Sequence, residues 1–248
     1  MSDVGTRREW LAALGNGRTS PFAMTFGSAT DWVLEIQADS PEFLGGSTAE
    51  DHACGVLFDG ILHNRADLAA SLGLSEGSAD ARVLLNAYNR WGADVTRHIK
   101  GIFALVISDS VERRLFAVRD PLGAYPLFYA HDATGRLLIS TSIATLVSQP
   151  GVDGSVNREA LGDHLAHRWP VAEETFYKAV KRVPAGSRLI ATTTGTRLEG
   201  YWDPAPPGEP VKWITEEELE SFDDRLTAAV ERAVVQGRSG IFLSGGLD

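Results

Sequence analysis

The sequence is short of cysteine, of positive charge and of long apolar runs, and each shortage removes a class of protein. One cysteine in 248 residues excludes an internal disulfide and a thiolate metal cluster, and it fits a reducing compartment. Lys and Arg total 23 against 33 Asp and Glu, a net charge of −10. The clustered cations that a phosphate backbone demands are therefore missing, and nucleic acid is not an expected partner. No apolar run approaches the roughly 18 residues of a membrane span, and the opening MSDVGTRREWLAALGNG has no apolar core of signal-peptide length. The expectation is a soluble, cytoplasmic chain with no membrane contact.

What is present suits a globular fold. Hydrophobic residues make up 44% and charged ones 23%, enough to build sizeable cores. Four prolines crowd Pro204, Pro206, Pro207 and Pro210, a stretch that can form neither helix nor central strand and reads as a linker over 204–214. Before it, short apolar runs alternate with turn signals: Ala53–Phe58, Ile102–Ile107, Leu115–Val118, Leu127–Tyr129, Leu137–Ile139 and Leu189–Ala191. Runs such as Ile102–Ile107 lack polar alternation, which predicts strands covered on both faces. Ser78 is placed to cap a helix whose face carries Val83, Leu84, Ala87, Tyr88 and Trp91, and Asn157 to cap another with Leu161 and Leu165. Two packed sheets with helices outside are the predicted architecture of residues 1–203.

After the linker, Thr215 and Glu218 stand in the reciprocal positions of a capping box. Leu219, Phe222, Leu226, Val230, Ala233 and Val234 mark one helical stripe, and Gly237 ends it. The acids Glu216, Glu217 and Glu218 complement the helix dipole. Ser239–Leu243 then reads as a strand running into Ser244-Gly245-Gly246-Leu247-Asp248, where glycines would let consecutive N–H groups cradle an anion. The helix that would complete such a site does not follow. The expectation for residues 215–248 is therefore the start of an α/β nucleotide-binding domain, with no complete catalytic set in this chain.

Ser244–Asp248 resembles the pyrophosphate loop of ATP pyrophosphatases, enzymes that activate a carboxylate as an acyl-adenylate. Upstream, Lys100–Asp109, Arg119–Tyr129, Glu174–Lys178, Val183-Pro184-Ala185-Gly186 and Tyr201-Trp202-Asp203 stand in the order of motifs seen in asparagine synthetases and their relatives. The resemblance runs from about Cys54 to Asp248. It implies a four-layer αββα sandwich of the N-terminal-nucleophile hydrolase type, an α+β fold, followed by the first helix and strand of a synthetase domain. It also implies ATP and magnesium: Leu243, Ser244, Gly245 and Gly246 at the pyrophosphate, and Asp248 organising phosphate and magnesium. The partners it implies are a small molecule or peptide carrying a carboxylate and an amine, and the chain's own carboxyl-terminal domain; self-association is left open.

The sequence departs from the glutamine-using members of that family. Those members begin, after methionine removal, with a nucleophilic cysteine, whereas position 2 here is Ser2, and a hydroxyl is far less ionised than a thiol near neutrality. The family's Asn-Gly oxyanion pair appears as Asp59-Gly60, and a carboxylate would repel a developing oxyanion. Asp80 matches the acid that holds the substrate amine, but its usual Glu neighbour is Arg82. The expected glutamine pocket is vestigial and inactive, as in β-lactam synthetases and lasso-peptide cyclases. The alternatives are an ammonia-using asparagine synthetase, or a non-catalytic module built on the inactive fold.

Other groups point to structure. Cys54-Gly55-Val56 imitates a mature Cys-Gly-Ile start, yet it precedes Asp59 by too few residues and reads as a buried core cysteine. His164, His167 and Asp163 lack a third metal ligand fixed by sequence. Arg119 and Asp120 read as an ion pair at a strand end, and Tyr201-Trp202 as packing at the interdomain seam.

Overall fold

The computed structural model describes residues 10–14, 23–29, 32–38, 47–169, 171–205 and 214–234. The chain divides into two compact units, Met1–Asp203 and Pro204–Asp248.

In the first unit, twelve strands make two six-stranded antiparallel sheets. One sheet runs β10 (Lys181–Arg182), β8 (Phe128–His131), β9 (Leu137–Ser140), β1 (Trp10–Leu14), β3 (Trp32–Ala38) and β2 (Ala23–Ala29). The other runs β12 (Gly195–Gly200), β11 (Ser187–Thr192), β7 (Arg114–Arg119), β6 (Gly101–Asp109), β5 (Cys54–Leu62) and β4 (Thr48–Glu50). The centre of the second sheet is the nine-pair ladder of β5 and β6, from Cys54 opposite Asp109 to Leu62 opposite Gly101.

Side-chain direction along these strands sorts the apolar residues into separate cores. Leu57, Ala104, Val106, Leu115, Ala117, Leu189 and Ala191 of the second sheet meet Trp10, Ala12, Ile36, Leu137 and Ile139 of the first. The intervening residues Val56, Phe58, Phe103, Leu105, Ile107, Phe116, Val118 and Ile190 point the other way, into helices. These are α1 (Arg65–Ser71) and α2 (Asp80–Trp91), which bury Leu68, Ala69, Val83, Leu84, Ala87 and Tyr88. Outside the first sheet, Leu11, Ala13, Phe128, Ala130 and Leu138 pack against Leu146 of α3 (Ile143–Val147) and against Val180. The result is the four-layer αββα sandwich that two-faced apolar strands predict, with the interiors of β5, β6 and β7 covered on both sides.

Local details refine the sequence reading. Asn157 does cap α4 (Arg158–Leu165), accepting the Ala160 amide at 3.2 Å. Ser78 does not cap α2: the helix starts one residue later, with Ala79 in the cap position and no side-chain acceptor, while Ser78 Oγ lies 3.2 Å from Ser75 Oγ. In the second unit the Thr215–Glu218 capping box is formed, with Glu218 Oε2 accepting from the Thr215 amide at 2.9 Å. The expected single helix is broken at Ser221 into α5 (Glu216–Glu220) and α6 (Phe222–Val234). There Ser221 Oγ donates to the Glu218 carbonyl at 2.9 Å, a back-bond that competes with the helical ladder. The stripe residues Leu219, Phe222, Leu226 and Val230 are exposed. Ala233 side-chain packing, Gly237 and the strand expected at Ser239–Leu243 lie outside the described residues.

Gly60, in the central ladder, has no room for a side chain. Gly60 has φ +139°, and a Cβ there would sit 2.2 Å from the Ile102 carbonyl oxygen and 2.7 Å from Phe103 Cα. Gly60→Ala is expected to lower unfolding free energy by about 3 kcal/mol or more, combining a forbidden φ with a backbone clash. Urea denaturation checks this, and a midpoint equal to that of the parent chain contradicts it.

Candidate functional site

Asp59 lies on β5 with its side chain turned into the space between the sheets, and it is 7% exposed. Both carboxylate oxygens are engaged. Trp10 Nε1, from β1 of the opposite sheet, donates to Oδ2 at 2.8 Å, and the Tyr125 hydroxyl donates to Oδ1 at 2.7 Å. Trp10 is itself 1% exposed. A carboxylate so placed acts as an acceptor and offers no proton to an oxyanion. Burying it is tolerable because two donors replace part of its lost hydration.

The Tyr125 end of this cluster is built by the Arg119–Tyr129 segment. Asp59 pairs with Ala104 across the ladder, and Ala104 with Arg119 on β7, so the three share one row on the inner face. Arg119 sends its guanidinium to the loop that follows, donating to the carbonyls of Tyr125 at 2.7 Å and Gly123 at 2.5 Å, and also to the distant Val183 carbonyl at 3.0 Å. Asp120, fully buried, accepts the amides of Ala124 at 3.0 Å and Tyr125 at 2.8 Å. The expected Arg119–Asp120 ion pair is thus corrected: each charge is spent on loop backbone, which fixes the loop more rigidly than one side-chain pair would. Burial, together with nearby Arg182, lowers the Arg119 pKa, opposed by Asp120.

Tyr201 completes the frame from behind. Its hydroxyl donates to the Arg119 carbonyl at 2.7 Å, and its ring packs against the core beneath α1 and α2. Within the first unit, Tyr201 is thus partly buried against the helical-side core. Trp202, half exposed, donates its amide to the Gly186 carbonyl at 3.1 Å.

Asp80 occupies a different layer. It opens α2, outside the second sheet, where Arg65 Nε approaches Oδ1 at 3.5 Å. Burial raises its pKa against the opposing pull of Arg65. The expected pocket residues are thus split: Asp59 faces the other sheet, while Asp80 belongs to the helical layer. Gly60 stands between them on β5, held by its close backbone approach to β6.

Cys54 is buried on the first residue of β5, and its amide donates to Asp51 Oδ1 at 2.8 Å. Burial pushes the thiol up to about 12, reinforced by the carboxylates of Asp109 and Asp51. Such a sulfur is a poor nucleophile. Asp109, across the ladder, accepts the Tyr88 hydroxyl at 2.9 Å and the Glu112 amide at 2.9 Å, a structural turn. Among the described residues no group of three or more His, Cys, Asp and Glu could hold a metal. His164 instead packs edge-on against Phe176 at 5.2 Å, and Asp163 meets Arg168 at 3.8 Å. Ser2, and Leu243, Ser244, Gly245, Gly246 and Asp248, lie outside the described residues.

Sequence reasoning singled out Asp59 but missed both of its donors. Tyr125 stood inside a recognised segment without a role. Trp10 had no signal at all, since nothing local links it to a residue 49 positions away.

Residues 47–202 match the family described as a glutamine amidotransferase domain. A Mycobacterium tuberculosis protein provisionally named a glutamine-hydrolyzing asparagine synthetase is 30% identical over 207 residues, covering 78% of this chain and 31% of that protein. Asparagine synthetase (glutamine-hydrolyzing) 3 of Bacillus subtilis is 28% identical over 208 residues, 78% of this chain and 32% of its own length. The chain thus spans about a third of the length of these relatives. A solved structure of a glutamine aminotransferase class-II domain protein from Silicibacter pomeroyi superposes with a TM-score of 0.50 at 12% identity, over 80% of this chain and 100% of that one. At that identity the likeness concerns fold alone.

Two outcomes are expected. Tyr125→Phe leaves one buried carboxylate oxygen short of a donor and costs about 1–3 kcal/mol in urea unfolding; a loss below the error of the measurement contradicts the hydrogen bond's role. Cys54 has its folded pKa raised from 9.0 to about 12. Below its unfolded value the stability from keeping the thiol neutral is fully present, and it drains away as pH rises from about 9 toward 12. Cys54→Ala should therefore flatten the alkaline decline in stability. Native protein at pH 8 should resist iodoacetamide that labels the unfolded chain readily.

Proposed function

The chain belongs to the glutamine amidotransferase family in its asparagine synthetase-like branch, and from that premise we propose that it is the amino-terminal part of an ATP-dependent, AMP-forming amide ligase whose glutaminase is inactive. The observation that carries this reading is Asp59. A carboxylate that accepts from Trp10 and Tyr125 stands at the sequence position that resembles the family's Asn-Gly oxyanion pair, and position 2 offers a serine in place of cysteine. Without hydrolysed glutamine, nitrogen comes from an amine already on the substrate.

In the proposed reaction a substrate carboxylate oxygen attacks the α-phosphorus of ATP and pyrophosphate leaves. The amine then attacks the acyl carbon, AMP departs, and the amine's proton passes to solvent. Ser244, Gly245 and Gly246 are the residues that would contact the pyrophosphate, and Asp248 the one that would organise magnesium. The substrate is a small molecule or peptide carrying both groups, and the product a lactam or lasso-type macrolactam. An ammonia-using asparagine synthetase is the second reading; the relatives' names support asparagine formation, although those relatives are named as glutamine-hydrolyzing.

Pyrophosphate exchange separates these readings. A form extended to the length of the relatives should exchange labelled pyrophosphate into ATP only with its own carboxylate substrate, while residues 1–248 alone should not. Exchange driven by aspartate would favour the second reading. Glutamine hydrolysis by the chain should stay at background; turnover abolished by Ser2→Ala would overturn the claim of an inactive glutaminase.

A further inference from the structure

In an acidic chain most cations find a partner. Eight side-chain ion pairs form among the described residues. Arg82, Arg90 and Arg119 are spent on carbonyl oxygens instead. Arg158 and Lys178 do neither: their side chains make no hydrogen bond or ion pair among the described residues, and Lys178 has only the longer-range influence of Asp153. These two line the same cleft, about 400 Å³ in volume, with Asn157, Glu159, Glu174 and Lys181.

The walls of that cleft are fixed. On one side stands the start of α4, and on the other the segment from Glu174 to Lys181. The Asn157 amide donates to the Phe176 carbonyl at 2.9 Å, the Lys178 amide donates to the Ser155 carbonyl at 3.0 Å, and a bridge joins Val156 to Tyr177. Glu174 is neutralised in place: Lys181 Nζ reaches its two oxygens at 2.7 and 2.9 Å, and Asn157 Nδ2 reaches Oε2 at 2.7 Å. Asn157 Oδ1 is in turn committed to the α4 cap. That leaves Arg158 and Glu159 at the start of α4 and Lys178 on the other wall, two cations and one carboxylate, in a cleft whose remaining charges, Glu174 and Lys181, cancel.

We propose that this cleft binds a small organic oxyanion, a phosphate ester or a carboxylate, between Arg158 and Lys178. A guanidinium presents the fork that either group accepts in bidentate fashion, and a flexible ammonium follows the remaining oxygen. The volume lies within the range of small-molecule sites and exceeds what a bare ion needs. The net charge of −10 repels anions at a distance, so capture depends on these two local cations and weakens with added salt.

The test is an amide NMR titration of the 248-residue chain at low ionic strength with inorganic phosphate and, separately, succinate. Saturable shifts centred on Arg158, Glu159 and Lys178 are expected, with a Kd of roughly 1–10 mM for such minimal probes. Arg158→Gln and Lys178→Gln should each weaken binding about five- to tenfold, and Lys100→Gln, at an exposed lysine elsewhere, should leave it unchanged. The tighter probe identifies the class of oxyanion. Non-saturable shifts, shifts confined to residues 244–248, or equal affinity in all variants would overturn the proposal, whatever pyrophosphate exchange shows.

Discussion

A single buried carboxylate ties the two sheets of this molecule together. Asp59 projects from the longest ladder in the fold and takes the indole N–H of Trp10 across the intersheet space. A charge in that position is tolerable only with donors at fixed distances, and this requirement reaches outward. The Tyr125 hydroxyl must arrive at a defined place, so its loop must be stiff. Arg119 and Asp120 stiffen it through two of its carbonyls and two of its amides, and Arg119 also ties it to the Val183 carbonyl. Tyr201 then holds the Arg119 backbone from the helical side. A motif that reads in sequence as a run of loosely related residues is, in space, a bracket for one phenol.

Much of the sandwich could be read from sequence because its strands announce themselves by composition. Runs such as Phe103–Ile107 are apolar on both faces, and they are covered by the other sheet on one side and by α2 on the other. What escaped reading follows from distance and from chemistry without periodicity. β12, with its exposed Thr196 and Arg197, has the pattern of a solvated edge and no apolar signature. β1 is a five-residue strand whose Ala12 and Ala13 are too small to mark alternate faces, although each lies in a different core. The candidate site was half legible: Asp59 stood out because it departs from a familiar pair, whereas its donors came from 49 and 66 positions away.

The arrangement also separates two uses of one scaffold. A site that hydrolyses an amide keeps polar groups unsatisfied until substrate arrives, which costs stability. In the intersheet space of this chain an indole and a phenol have their hydrogen bonds to Asp59 made, and burial favours the neutral thiol of Cys54 in the ladder beside Asp109. The uncommitted charge has moved to the surface, at the mouth of the cleft beside α4.

Asp59 followed by Gly60 carries a further consequence, for how the molecule ages. Among aspartyl bonds, the one before glycine is ordinarily the most prone to rearrange through a cyclic imide, because a bare α-carbon lets the glycine nitrogen swing onto the carboxyl carbon. Here the carboxyl is tethered on both oxygens, and the glycine is wedged against the Ile102 carbonyl at φ +139°. Neither partner can rotate into the attacking geometry while the sheets stay together. The folded state thus shelters a bond that the unfolded chain would slowly scramble, so each unfolding event opens a window for permanent covalent damage.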